Sequence, residues 1–199
     1  MNNAREVEVV VIGAGQAGLA GAFHLWRAGF EPDRDFVVLD HSPGPGGAWQ
    51  FRWPSLTYGK VHGMHALPGM ELTGADPARP SAEVISDYFD RYERAFDLRV
   101  RRPVDVRAVR EGSGGRLLVE TSDGVWSTRA LINATGTWDR PFWPRYPGQE
   151  TFRGQQLHTP RGTPDPRSSP GSGSSWWAAA RRARSTCWRS PRTRLPPPG

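Results

Sequence analysis

The chain has 199 residues, a single cysteine (Cys187) and a formal net charge of +6. The single cysteine excludes a disulfide framework and a Cys-x-x-Cys redox pair, no apolar run is long enough to span a membrane, and Met1–Glu6 lead into a strand pattern rather than a signal peptide. We therefore expect a soluble, cytoplasmic protein without a membrane partner.

The positive charge is concentrated at the C-terminal end of the chain. Residues 160–199 hold eight of the 26 basic residues and one of the 20 acidic residues, which leaves 18 basic and 19 acidic residues in 1–159. The excess of basic over acidic residues therefore lies in the C-terminal segment and does not predict a nucleic-acid partner for the first 159 residues.

The N-terminal segment has the pattern of a dinucleotide-binding βαβ unit. An apolar run, Val7–Ile12, enters a GxGxxG turn, and a helical pattern leaves that turn. A second apolar run, Phe36–Leu39, then ends on Asp40, 22 residues beyond Gly18. The alternative is a chance glycine turn in an ordinary α/β protein, but the ordered context favours nucleotide binding.

Each residue type in this motif has a physical role. Gly13 permits a tight turn, and Gly15 lets the backbone approach a diphosphate at the helix N-terminus, where free N–H groups and the helix dipole favour negative charge. Gly18 allows close packing of the helix on the sheet. Gly29 is typical of a helix end, and Asp40 can accept hydrogen bonds from ribose hydroxyls.

The middle of the chain predicts a loop, a helix and three strands. A loop rich in glycine and proline holds Gly46, Gly47 and Trp49. The 3.6-residue period of apolar residues over 80–96 predicts an amphipathic helix, with Ser81 as its cap. Alternating patterns predict strands at 104–109, 116–121 and 125–133.

The order of these elements predicts an α/β fold. It consists of a Rossmann-like domain in which a parallel sheet is joined by an antiparallel meander. No histidine shows metal-ligand spacing, so we predict no metal site.

These pieces together resemble the flavin-containing monooxygenase superfamily, particularly bacterial NADPH-dependent members related to Baeyer–Villiger monooxygenases. The resemblance rests on the motifs already named and on two later ones. These are Ala134-Thr135-Gly136 and an FxGxxxH signature formed by Phe152, Gly154 and His158.

The resemblance implies FAD and NADPH as cofactors, and a small-molecule substrate and molecular oxygen as partners. A heteroatom or carbonyl group would be oxygenated through a flavin C4a-hydroperoxide, chemistry that the cofactor supplies. The residues implied to hold FAD are Gly13, Gly15, Gly18, Asp40, Gly47, Trp49, Val104 (through its backbone, at the adenine), Ala134 and Gly136. No catalytic acid or base is nominated; His158 is the nearest candidate, and a structural role suits it equally.

The pattern of the superfamily stops near residue 160. The signature should end in Trp or Tyr four residues after His158, where this chain has Gly162, and no second GxGxxG follows. Residues 160–199 are rich in Arg, Pro and Ser and poor in aliphatic residues, which predicts a disordered tail. We therefore expect a truncated FAD-binding domain over 1–159 and doubt that this chain is active.

The codons of the tail suggest translation out of frame. Because tryptophan has one codon, Trp176-Trp177-Ala178 must conceal Val-Gly in another reading phase, and Ser174–Ala180 can conceal a valine run followed by glycines. We hypothesise a frameshift near residue 160, which the nucleotide sequence of the gene would test. Two alternatives remain open: a non-enzymatic FAD-binding remnant, and a basic tail that binds nucleic acid. We expect no nucleic-acid partner.

Overall fold

The structure, a computed structural model, describes residues 4–61, 64–140, 142 and 145–151. The predicted signature at Phe152, Gly154 and His158 and the predicted tail at 160–199 lie outside these residues.

Two helices and five strands form the regular part of the fold. They follow in the order β1 (Arg5–Ile12), α1 (Gln16–Arg27), β2 (Phe36–Leu39), α2 (Ser81–Ala95), β3 (Val106–Glu111), β4 (Leu117–Thr121) and β5 (Gly124–Asn133). Short 3₁₀ turns cover Gly47–Phe51, Tyr58–Lys60, Ser113–Gly115 and Gln149–Thr151. The predicted 80–96 helix and the three predicted later strands are confirmed to within two residues at each end.

All five strands belong to one mixed sheet with the order β2-β1-β5-β4-β3. β1 pairs in parallel with β2 and with β5, whereas the β5-β4-β3 pairs are antiparallel. The predicted Rossmann-like sheet with a meander is therefore confirmed, and β5 is the strand that joins its two parts.

β5 has two neighbours over only part of its length. Gly124–Thr128 pair with β4, and Trp126–Thr128 also pair with β1 on the other side. In the second half of the strand, Ala130–Asn133 pair with β1 alone among the described residues. This second half ends beside Ile12, at the carboxyl edge of the parallel strands, where ligands bind in open α/β sheets.

The parallel strands are buried on both faces, as their uninterrupted apolar sequences predict. Val9 and Val11 of β1 pack with buried residues of α1 and α2 in one cluster. Val10 and Ile12 pack in a second cluster with residues of β4 and β5, including Trp126. The sheet therefore holds β1 and the turn after it in a fixed position.

α2 packs on the sheet through an aromatic face. The buried side chains on this face are those of Val84, Ile85, Tyr88, Phe89 and Tyr92. The predicted cap is wrong: Pro80 occupies the N-cap position, and Ser81 is the first helical residue. The buried Ser81 hydroxyl has no hydrogen-bond partner, because Ser81 lies one position beyond the place where a side chain can cap the helix.

Candidate nucleotide site

The glycine turn between β1 and α1 is closed by backbone contacts that leave no room for a side chain at Gly13 or Gly18. Gly13 has a φ of 98°, and a Cβ atom there would lie 2.5 Å from the Ala134 carbonyl oxygen. A Cβ atom on Gly18 would overlap the Gly13 carbonyl oxygen. Gly18 is thus required by the turn itself, in addition to any packing of the helix on the sheet.

Gly15 differs from its neighbours because no described residue has an atom within 4 Å of the position of its missing Cβ. It is the N-cap residue of α1 and has no side-chain cap bond, and the first turn of the helix holds no acidic residue. The N–H groups of that turn lack intrahelical partners and carry the positive end of the helix dipole. The surface at Gly15 therefore fits an anionic group.

Asp40 lies directly after β2 and is only 3% exposed. Its Oδ2 accepts the Ala14 N–H at 2.7 Å, and its Oδ1 accepts the Ser42 N–H at 2.7 Å. The sequence predicted a carboxylate facing ribose hydroxyls, whereas the structure shows one that fixes the glycine turn. Each oxygen keeps one further lone pair for a ligand.

The Gly46–Trp49 loop reaches over the glycine turn. Gly46 and Gly47 have φ angles of 118° and 52°, and a Cβ atom on Gly47 would lie 3.0 Å from the Gly15 Cα. The Gln50 side chain donates to the Gly44 carbonyl at 2.8 Å and to the Gly47 carbonyl at 3.2 Å, which holds the loop in this shape. The structure therefore brings Gly47 to the turn, and its role in holding FAD stays a prediction.

Trp49 is partly buried and packs against the core cluster that β1 forms with α1 and α2. The guanidinium carbon of Arg52 lies 5.4 Å from the centre of the Trp49 ring and 4.5 Å from that of Trp138. Sequence reasoning missed Arg52, because an arginine in an irregular loop has no distinctive spacing. Trp138, in a segment rich in aromatic residues and proline, also has no distinctive spacing in the sequence.

The segment after β5 approaches the turn from the other side. The Ala134 N–H donates to the Ile12 carbonyl at 2.9 Å, so Ala134 lies beside Gly13. Gly136 has a φ of 63° and open space at its missing Cβ. Beyond it, Asp139 Oδ2 lies 2.9 Å from His41 Nε2, which links this segment to the end of β2.

Val104 lies just before β3 rather than in it. Its N–H donates to the Asp40 carbonyl at 2.8 Å, and its side chain is buried in the second core cluster. The backbone N–H is thus already used, which leaves the Val104 carbonyl as the group able to meet an adenine.

A buried ion pair borders Asp40. Arg102 binds Glu93 through two hydrogen bonds of 2.7 Å, and the side chains are 10% and 11% exposed. Burial raises the pKa of Glu93, Arg102 opposes that rise, and the nearby Asp40 charge adds to it. This end of the site therefore combines two carboxylates with one guanidinium.

The described residues lack two features, a cluster of metal-binding side chains and a membrane-spanning helix. They contain no group of three or more His, Cys, Asp or Glu side chains arranged to hold a metal ion. Within the same ranges, no helix is both long and apolar enough to cross a membrane.

Comparison with known proteins identifies the family. The pyridine nucleotide-disulphide oxidoreductase family matches residues 10–162, which include every candidate site residue. The chain belongs to this family. Its single cysteine shows that it carries no Cys-x-x-Cys redox pair of its own.

Relatives within the family are oxidoreductases and flavin monooxygenases. The uncharacterized oxidoreductase CzcO of Bacillus subtilis is 30% identical over 76% of this chain and 43% of its own length. The FAD-binding monooxygenase ausB of Aspergillus calidoustus is 32% identical over 77% of this chain and 26% of its own length. The solved flavin-containing monooxygenase from Stenotrophomonas maltophilia has a TM-score of 0.62 and 38% identity, covering 74% of this chain and 44% of that protein.

The predicted resemblance to flavin monooxygenases is therefore confirmed, and the chain is a member of a family of flavin-dependent oxidoreductases. The chain spans less than half the length of each of these relatives.

Proposed function

We propose that residues 1–159 form the FAD-binding domain of an NADPH-using flavin monooxygenase. The observation that carries this proposal is the open Gly15 surface at the uncapped N-terminus of α1. Gly47 contacts Gly15, and Ala134 contacts Gly13, so three separate segments frame one anion-binding surface. A dinucleotide diphosphate fits a surface built from backbone N–H groups and glycines.

The remaining residues fit the rest of FAD. The Asp40 carboxylate would accept ribose hydroxyls with its remaining lone pairs, and the Val104 carbonyl would meet the adenine, since the Val104 N–H already binds Asp40. Gly136 and Trp49 would border the path toward the flavin. When bound, the flavin supplies the redox and oxygen chemistry, and the protein orients it.

The substrate side of the proposal follows the relatives. We propose that NADPH reduces the flavin and that molecular oxygen and a small molecule with a heteroatom or carbonyl group are the other reactants, in the cytoplasm. The described residues hold one dinucleotide turn, and the matched region covers only 43% and 26% of the lengths of these two relatives. We therefore expect the 199-residue chain to bind FAD without oxidising NADPH.

Titration of the purified chain with FAD, followed by flavin fluorescence and absorbance, tests the cofactor assignment. The matched variant is Gly15→Asp, because aspartate is a favourable N-cap residue and its side chain has room. We expect unchanged or improved thermal stability and loss of FAD binding, since the carboxylate repels the diphosphate. A wild-type chain that melts cooperatively but leaves FAD unbound would refute the proposal, and NADPH oxidation by the chain would refute its inactivity.

A further inference from the structure

Arg52 is a partly buried cation for which the described residues provide no carboxylate partner. It follows the 3₁₀ turn that begins at Gly47, and its N–H donates to the Trp49 carbonyl at 3.1 Å. Its Nε atom is buried and has no hydrogen-bond partner within the described ranges, and burial lowers the pKa of the guanidinium. The Nε atom of the buried Arg102 also lacks a partner, but the rest of that guanidinium binds the Glu93 carboxylate, a partner that Arg52 does not have among the described residues.

The rings around Arg52 orient its guanidinium but satisfy none of its N–H groups. Trp49 and Trp138 interact with the cation through their π faces, which stabilises positive charge without accepting a conventional hydrogen bond. The Trp138 Nε1 atom is also buried, and the described part of the chain offers it no hydrogen-bond partner. Two adjacent side chains thus hold donors that are costly to bury unless an acceptor is supplied.

The position of Arg52 indicates where that acceptor comes from. Arg52 ends the loop whose Gly47 contacts Gly15, and Trp138 follows the segment whose Ala134 contacts Gly13. Both side chains are therefore attached to the segments that frame the open N-terminus of α1. A planar guanidinium suits the oxygens of a phosphate group because its N–H edges can bind two of them at once.

We propose that Arg52 binds the diphosphate of the dinucleotide across from the N-terminus of α1, with Trp49 and Trp138 holding its guanidinium plane. This inference rests on the proposed FAD site and adds a positively charged side chain to a surface otherwise built from backbone N–H groups. The competing interpretation is structural, in which Arg52 only joins the two tryptophan-bearing loops.

The test uses the Arg52→Gln variant and two ligands, FAD and inorganic diphosphate as a competitor of FAD. We expect FAD to bind about tenfold to 100-fold more weakly than to the wild type, the range of one lost charge-assisted hydrogen-bond pair. Competition by diphosphate should weaken by at least about fivefold. Arg5→Gln is the matched control, because Arg5 also stacks on a tryptophan, Trp126 at 5.3 Å, but lies at the start of β1.

The outcomes separate the two proposals. If diphosphate competes equally well against the wild type and Arg52→Gln, Arg52 only shapes the loop, and the inference is wrong even where FAD affinity falls. If the wild type binds no FAD, the proposed function fails irrespective of Arg52. Should Arg52→Gln not fold, Arg52→Lys decides, since it keeps the charge but not the fork; diphosphate competition equal to that of the wild type would then overturn the inference.

Discussion

At the scale of single residues, two glycines of α1 are glycines for different reasons. A Cβ atom on Gly18 would overlap the Gly13 carbonyl oxygen, whereas one on Gly21 would make ordinary contacts of 3.6 Å with Ile132. We expect Gly18→Ala to destabilise the fold by about 3 kcal/mol or more, because backbone must move. Gly21→Ala, its matched control, should stabilise α1 by up to about 1 kcal/mol. Urea unfolding followed by circular dichroism measures both, and equal stability of the two variants would contradict this account.

The candidate site was predictable from sequence where a residue has no substitute. Gly13 has a left-handed backbone conformation, and a Cβ atom on Gly18 would overlap the Gly13 carbonyl oxygen, so glycine itself is the signal at both positions. Asp40 was placed correctly at the end of β2, but its two N–H partners depend on the folded turn. Arg52 was not predictable, because its significance comes from contacts with Trp49 and from missing partners, and neither leaves a pattern in the sequence.

At the scale of elements, α2 is anchored to the loop before it by two buried tyrosine hydroxyls. The Tyr88 hydroxyl accepts the Leu67 N–H at 2.7 Å and donates to the Met70 carbonyl at 2.6 Å, whereas the Tyr92 hydroxyl donates to the Pro68 carbonyl at 2.7 Å. We expect Tyr88→Phe to cost about 1–3 kcal/mol, since it leaves a buried N–H and a carbonyl unpaired. Tyr92→Phe should cost less. Thermal melts would rank them, and the reverse order would show that the hydrogen bonds do not govern stability.

The same tyrosines give α2 a dependence on alkaline pH. Burial raises the pKa of both Tyr88 and Tyr92 above the ordinary value of 10.0. The folded state therefore holds these protons more tightly than the unfolded state, so this contribution to stability is complete below pH 10 and is lost as the pH rises above it. We expect the free energy of unfolding to fall between about pH 10 and pH 12. The double variant with phenylalanine at both positions should show a shallower fall, and an identical fall would refute the assignment.

Helices and strands were predictable where a regular apolar pattern extended over many residues, whereas their first and last residues were not. The buried face of α2 followed from apolar spacing, but the cap did not, because Pro80 rather than Ser81 occupies the N-cap position. Strand β3 was predicted to begin at Val104 and begins at Val106 instead. The reason is tertiary: the Val104 N–H binds the Asp40 carbonyl, a residue 64 positions earlier in the chain.

At the scale of the whole molecule, the division of the chain at residue 159 remains a proposal. The buried apolar side chains of the described part all lie between Val7 and Trp126. We expect a variant ending at residue 159 to melt within about 3 °C of the full chain. A variant ending at residue 123 should not fold, because it lacks β5, which joins the two parts of the sheet. Calorimetry measures both, and loss of cooperative melting in the first variant would contradict the proposed boundary.

The half-paired strand β5 also has a consequence for the behaviour of the protein in concentrated solution. From Arg129 to Asn133 no described strand pairs with the side of β5 that faces away from β1, and Ala130, Leu131 and Ile132 in this stretch carry no charge. Such an open edge is a template for strands of neighbouring molecules. Light scattering that grows with protein concentration, and that decreases when a lysine replaces Ala130, would identify this edge as the limit on solubility.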